Sequence, residues 1–156
     1  AEFPGTEAVI AVRADDVARV KPHANGLQIV ADELPSVLGW GTLALTVSGT
    51  VSLHVMNHAT PMIGMYKVNA LSMLLSKIVL NTPHRLLPNL IAGERIVPEF
   101  IPCGNIAPHL ASVSIDLLRD KEALTRMLAR LQKEAAVYRQ HNPSKESAEI
   151  ILSFTR

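Results

Sequence analysis

Four short runs of aliphatic and β-branched residues, each followed by residues that start helices, restrict this chain to folds in which strands and helices alternate. Ala8-Val9-Ile10-Ala11-Val12 leads into Arg13 and Asp15-Asp16. Acidic residues of this kind favour a solvated first helical turn, whose N–H groups carry partial positive charge. Leu27-Gln28-Ile29-Val30 follows Asn25-Gly26 and runs into Asp32-Glu33-Leu34-Pro35, a second helix start with proline in the first turn. Leu43-Ala44-Leu45-Thr46-Val47 passes through Ser48-Gly49-Thr50 into an apolar helical stretch through Met56, and Pro61-Met62-Ile63-Gly64-Met65-Tyr66 is the fourth strand. This order predicts an α/β fold: a Rossmann-like open parallel sheet with helices on both faces. In such sheets ligands bind beyond the carboxyl ends of the strands.

After Asn69, which suits an N-cap, residues 70–80 are apolar around most of a helical circumference, as in a helix packed on a sheet. From Ile106 the pattern is helical to the end, with Pro108 in a first turn and a break at Asn142-Pro143 before a last short helix. The stretch from Lys121 to Arg139 alternates charged and apolar residues at helical spacing and reads as an amphipathic packing helix.

With 156 residues and 48% hydrophobic content, one compact domain with a sizeable core is the default expectation. Charged residues make up 19% of the chain and the net charge is +1, so nothing global points to nucleic acid as a partner. The single cysteine, Cys103, has no intrachain partner for a disulfide, which fits a reduced cytosolic setting. The chain opens on Ala1-Glu2-Phe3-Pro4-Gly5 with no basic segment before an apolar one, and so reads as part or a processed form of a longer protein, not a secretory precursor. Lys67, Lys77 and Pro83-His84-Arg85 interrupt the most hydrophobic region before the roughly 18 apolar residues a membrane span needs, so a soluble or peripheral protein is expected.

Thr46-Val47-Ser48-Gly49-Thr50-Val51-Ser52-Leu53 carries the strongest chemical signal, because a buried strand passes through small residues straight into a helix. Such a turn exposes backbone N–H groups at a helix N-terminus. Gly49 lets a bulky anion approach, and the Ser48 and Thr50 hydroxyls can donate, so a diphosphate fits; an ordinary N-cap turn fits the same three residues. His54 and His58 are four apart, a spacing used in zinc sites, but Val55-Met56-Asn57 lacks the catalytic glutamate and no third ligand is evident, so no metal is expected.

Downstream lie Thr60-Pro61-Met62, Tyr66-Lys67 and the long stretch Leu87-Pro88-Asn89-Leu90-Ile91-Ala92-Gly93-Glu94-Arg95-Ile96-Val97-Pro98-Glu99-Phe100. In this order, after Ser48-Gly49-Thr50, the motifs resemble the lipid-A-disaccharide synthase family, roughly over residues 26–151 including Leu118-Arg119-Asp120 and Ala148-Glu149-Ile150. The resemblance implies one half of a glycosyltransferase B fold: residues 1–156 correspond to the C-terminal, donor-binding domain. The N-terminal domain, which takes the lipid acceptor and holds the general base, lies outside this sequence, and no catalytic residue is assigned here. It further implies inverting transfer of 2,3-diacylglucosamine from UDP to 2,3-diacylglucosamine 1-phosphate in lipid A assembly, with no cofactor. The implied setting is cytoplasmic, with peripheral contact at the cytosolic face of the inner membrane; oligomerisation is compatible with it.

Carried over by position, Ser48, Gly49 and Thr50 receive the diphosphate, Asn89 and Gly93 line the donor side, and Tyr66 is the strand-end tyrosine. His54, Lys67, Arg95 and Glu99 complete the donor-side set, Glu99 either touching substrate or organising its loop. Lys67 replaces the usual arginine, Glu94-Arg95 reverses the usual order, and His54 stands where a glutamate is usual. A carboxylate accepts from both ribose hydroxyls, whereas neutral imidazole offers one acceptor. The early Pro-Gly-Ser-Arg motif of the family does not occur in this chain. Two other readings stand beside the transferase: a nucleotide-sugar-binding module without activity, and a related UDP-sugar enzyme such as a 2-epimerase or the peptidoglycan N-acetylglucosaminyltransferase.

Overall fold

The structure, a computed structural model, describes residues 3–66, 83–100 and 106–154. Lys67, Cys103 and the helix expected over residues 70–80 lie outside the described residues. Two compact units are present, Ala1–Thr42 and Leu43–Arg156.

In the first unit, β1 (Val9–Val12) and β2 (Gln28–Ala31) pair in parallel, Val9 opposite Gln28 and Val12 opposite Ala31. The crossover between them contains α1 (Val17–Val20), flanked by short 3₁₀ turns, and α2 (Leu34–Trp40) packs back onto both strands. Asp15 and Asp16 sit in the first 3₁₀ turn, where Asp16 pairs with Arg19 at 2.8 Å and Asp15 with Arg13 at 3.6 Å. They are exposed surface pairs, as a solvated helix start requires. Asp32 ends β2 with a left-handed φ of 57°, which turns its carboxylate to accept from the Ala14 N–H at 3.1 Å.

The second unit carries β3 (Ala44–Val47), β4 (Met62–Met65) and β5 (Glu99–Phe100), all parallel, with β4 in the middle. Its helices are α3 (Thr50–Asn57), α4 (Leu87–Ala92), α5 (Ala107–Arg119), α6 (Lys121–Arg139) and α7 (Pro143–Ser153). Parallel strands flanked by helices, with a helical C-terminus, make this a Rossmann-like α/β arrangement. Met127, Leu131 and Ala135, spaced by four residues on one face of α6, are buried, and α6 packs on α3, α4 and α5. The Met127 thioether also accepts the Met62 N–H at 3.3 Å, satisfying the first amide of β4.

The terminal helices differ from the sequence expectation at one point. The break at Asn142 is present, its side chain accepting from the Lys145 N–H at 3.0 Å as the N-cap of α7. A second break falls at Asp120, whose ψ of 86° is not helical and whose carboxylate caps α6 by accepting from Ala123 N at 2.8 Å. An aspartate competes with the backbone for such bonds, which makes it a helix start and not a helix interior residue.

Gly64 is required in β4 by close approach. A Cβ built there would lie 2.5 and 2.7 Å from the two methyl carbons of Leu86, which is 1% exposed and belongs to the loop crossing the strand. Gly64→Ala is expected to destabilise the protein by about 1–3 kcal/mol through overpacking. Urea unfolding of Gly64→Ala, Leu86→Ala and the double variant checks this: the double variant should lose less than the two single losses added together, because truncating Leu86 opens the space the new methyl needs.

Candidate functional site

The carboxyl ends of the three parallel strands converge on one place. Ser48 follows β3, Tyr66 follows β4 and Phe100 ends β5, and with Arg85, Leu86 and Glu99 they line an open hollow. A ligand is expected at this edge in a sheet of this kind.

The turn from β3 into α3 is anchored at both ends. The Ser48 N–H donates to the Met65 carbonyl at 3.0 Å, continuing the ladder from β3 to β4. The Gly49 carbonyl accepts from the Ser52 N–H at 3.0 Å and from the Ser52 hydroxyl at 2.6 Å, and Ser52 is fully buried. Between these anchors the amides of Gly49 and Thr50 and the Thr50 hydroxyl have no partner among the described residues. Thr50 is exposed and opens α3, so these donors point from the positive end of a helix.

Ser48 is engaged within the chain through its side chain. Its hydroxyl carries one proton and donates it to the Arg85 carbonyl at 3.0 Å, 37 residues away, so it ties the turn to the loop before α4. That loop is held from its other side by Glu99. One carboxylate oxygen accepts from the N–H groups of Arg85 at 3.2 Å and Leu86 at 2.8 Å; the other faces His84 Nδ1 at 3.4 Å. Of the two roles open to Glu99, loop organisation is the one these bonds occupy.

Asn89 is 0% exposed. Its amide nitrogen donates to the Val97 carbonyl at 3.0 Å, and its oxygen accepts from Ile96 N at 2.9 Å and Val97 N at 3.0 Å. The side chain is thus the peg around which residues 93–98 turn back to form β5. Gly93 ends α4 at φ 67°, the left-handed position where glycine escapes the Cβ penalty. Glu94 pairs with Arg130 of α6, while Arg95 is exposed. Tyr66 is 48% exposed and its N–H donates to the Phe100 carbonyl at 2.9 Å, which leaves the ring at the hollow.

His54 lies one turn into α3 on its exposed face, and His58 is exposed at the C-cap of the same helix. Among the described residues no group of three His, Cys, Asp or Glu side chains is placed to hold a metal ion. The structure therefore brings together Ser48, Gly49, Thr50, Tyr66 and Glu99, and places Asn89 and Gly93 behind them as supports of the same loop. His84 and Arg85, which in sequence only interrupt an apolar region, are the residues through which Glu99 and Ser48 meet. No spacing in the sequence marks them, because their contribution is largely backbone.

A family model described as lipid-A-disaccharide synthetase matches residues 19–153. The chain belongs to that family. Among relatives, the lipid-A-disaccharide synthase of Nitrobacter hamburgensis is 33% identical over 111 residues, covering 70% of this chain and 28% of the relative. That of Syntrophotalea carbinolica is 35% identical over 111 residues with the same coverage, and that of Vibrio cholerae 37% over 83 residues, or 53% of this chain and 22% of the relative. The chain thus spans less than a third of the length of these synthases. Its match includes the Ser48-Gly49-Thr50 turn, the α4 loop and β5, so the geometry described above belongs to the segment this family shares.

Asn89→Ala should leave two N–H groups and a carbonyl without partners in a buried turn and cost about 2–4 kcal/mol in chemical denaturation. If Asn89 served ligand alone, the variant would unfold at the native denaturant concentration.

Proposed function

We propose that this chain is the donor-binding domain of an inverting glycosyltransferase of lipid A assembly, holding the diphosphate of a UDP-sugar on the Gly49-Thr50 turn. The observation that carries the reading is the pair of amides at the start of α3 that have no partner among the described residues, at the carboxyl ends of three parallel strands. A diphosphate places acceptor oxygens where those amides point, and the bonds are charge-assisted. Tyr66 and the hollow beside it would take the neighbouring part of the donor. The relatives are named lipid-A-disaccharide synthases; in this reading the transferred group is 2,3-diacylglucosamine, carried by UDP, and the acceptor 2,3-diacylglucosamine 1-phosphate.

Proton removal from the acceptor hydroxyl needs a positioned base. In this reading the base belongs to the acceptor-binding domain, so the 156-residue chain alone should form no disaccharide from donor and acceptor. Product formed by this chain alone would overturn that part of the proposal. No helix among the described residues is long and apolar enough to cross a membrane. We place the protein at the cytosolic membrane face, where a lipid acceptor would be met.

The test of the site is Thr50→Pro. Proline is tolerated at the first position of a helix, where its missing N–H costs no intrahelical bond, so the variant removes the Thr50 amide donor, and the hydroxyl with it, while sparing α3. UDP affinity should fall at least about tenfold, the size of one lost bond to a charged group. Thr50→Ala, which keeps the amide, should lose less. Equal UDP affinity in native and Thr50→Pro chains of equal helicity would remove the turn from the site. His54→Glu, which restores the acidic residue usual in the family one turn further along α3, should tighten UDP binding if ribose lies there, and should leave inorganic pyrophosphate unaffected.

A further inference from the structure

Glu99 has a side chain 13% exposed and begins a strand of only two residues. Three consecutive residues converge on its carboxylate: Arg85 N at 3.2 Å and Leu86 N at 2.8 Å on one oxygen, His84 Nδ1 at 3.4 Å on the other. The middle residue of the three, Arg85, offers its carbonyl to the Ser48 hydroxyl at 3.0 Å. Ser48 in turn precedes Gly49, whose amide and that of Thr50 are the open donors. A continuous series of bonds therefore runs from a carboxylate in β5, through a loop, to the turn between β3 and α3.

The geometry points to Glu99 as a positioning residue for the anion turn, acting on a bound diphosphate through the loop of residues 84–86 and the Ser48 hydroxyl, and not by touching the ligand. The inference rests on the nucleotide site proposed above. Chemistry explains the residue type. Two amides directed at one oxygen need an acceptor with lone pairs for both, and negative charge strengthens each bond. Glutamine keeps such an oxygen without the charge; alanine keeps neither. With that latch removed, the Arg85 carbonyl holds Ser48 less firmly, and among the described bonds of the turn those of the Ser48 N–H and the Gly49 carbonyl remain. Donors that must be reoriented at the moment of binding bind more weakly than donors already aimed.

UDP and inorganic pyrophosphate, titrated at one pH against the native chain, Glu99→Ala, Glu99→Gln, Ser48→Ala and the double alanine variant, test this. Glu99→Ala should weaken both ligands by the same factor, about tenfold, and Glu99→Gln should recover most of that loss. Adding Ser48→Ala to Glu99→Ala should cost less than a further twofold, because both act through one latch. If UDP weakens while pyrophosphate does not, Glu99 contacts the nucleoside and the inference is wrong. It is also wrong if both ligands keep native affinity in Glu99→Ala below its melting transition, or if the two substitutions multiply as independent effects. Should Glu99→Ala not fold, Glu99→Gln and Ser48→Ala still decide: each should shift the Gly49 and Thr50 amide resonances in the same direction, and unshifted resonances overturn the idea. Native binding with unchanged variants defeats only this inference; a native chain that binds neither ligand defeats the nucleotide site as well.

Discussion

β4 lies between two parallel neighbours, β3 along its full length and β5 over Gly64 and Met65, and Met62 and Ile63 have no exposed surface at all. A strand in this position fixes what surrounds it. The glycine at its centre admits Leu86, and Leu86 sets the height at which the loop of residues 84–86 crosses the sheet. The same loop then lies within hydrogen-bond reach of Ser48 on one side and Glu99 on the other. Packing at Gly64 is thus a condition for the polar contacts at the strand ends, and the site inherits its geometry from the core.

The polar residues of the two shared motifs divide their work unevenly. Asn89, Glu99, Ser48 and Ser52 direct their side chains at backbone groups of this chain, and Gly93 supplies a left-handed turn. The donors left without a partner among the described residues of the turn are mostly backbone, at Gly49 and Thr50. This distribution suits a phosphate site. Fixed amides at a helix start bind an anion without paying for the ordering of long side chains, provided that the loop carrying them is held elsewhere. The motif residues do that holding.

Much of the fold could be read in the sequence because its signals are local. Observed β1 to β4 lie within the expected runs or one residue beyond them, α3 starts at Thr50, and the break at Asn142 is present. The missed elements depend on partners distant in sequence. β5 has two residues, too few for any periodicity, and exists because β4 offers it an edge. α4 is a six-residue helix ended by Gly93, short enough that Leu87 to Ala92 reads as motif and not as helix. For the site, the Gly49-Thr50 turn was legible for the same local reason. The bonds of Asn89 and Ser48 were not, and loop organisation by Glu99 was one of two readings, since each rests on a bond to a loop that only the folded chain brings near.

Gly49 has a conformational cause that its place in the motif does not reveal. From sequence, a glycine at the turn admits a bulky anion to the backbone, and a larger residue there should block ligand while sparing the fold. In the structure its φ is 140° and its ψ −168°, a region that essentially only glycine occupies. A Cβ added at this position meets nothing within 4 Å. Glycine is therefore needed by the conformation itself, whether or not a ligand is present, and any L-residue placed there strains the turn. Loss of binding in Gly49→Val would mix that strain with steric exclusion of the anion and could not separate them. The conformation has its own consequence, however: an extended glycine of this hand, between a strand anchored at Ser48 and a helix whose first turn is tied to the Gly49 carbonyl by Ser52, leaves two successive amides without a partner among the described residues at one helix start. An anion proposed at this turn would be held by those donors, not admitted by the missing side chain.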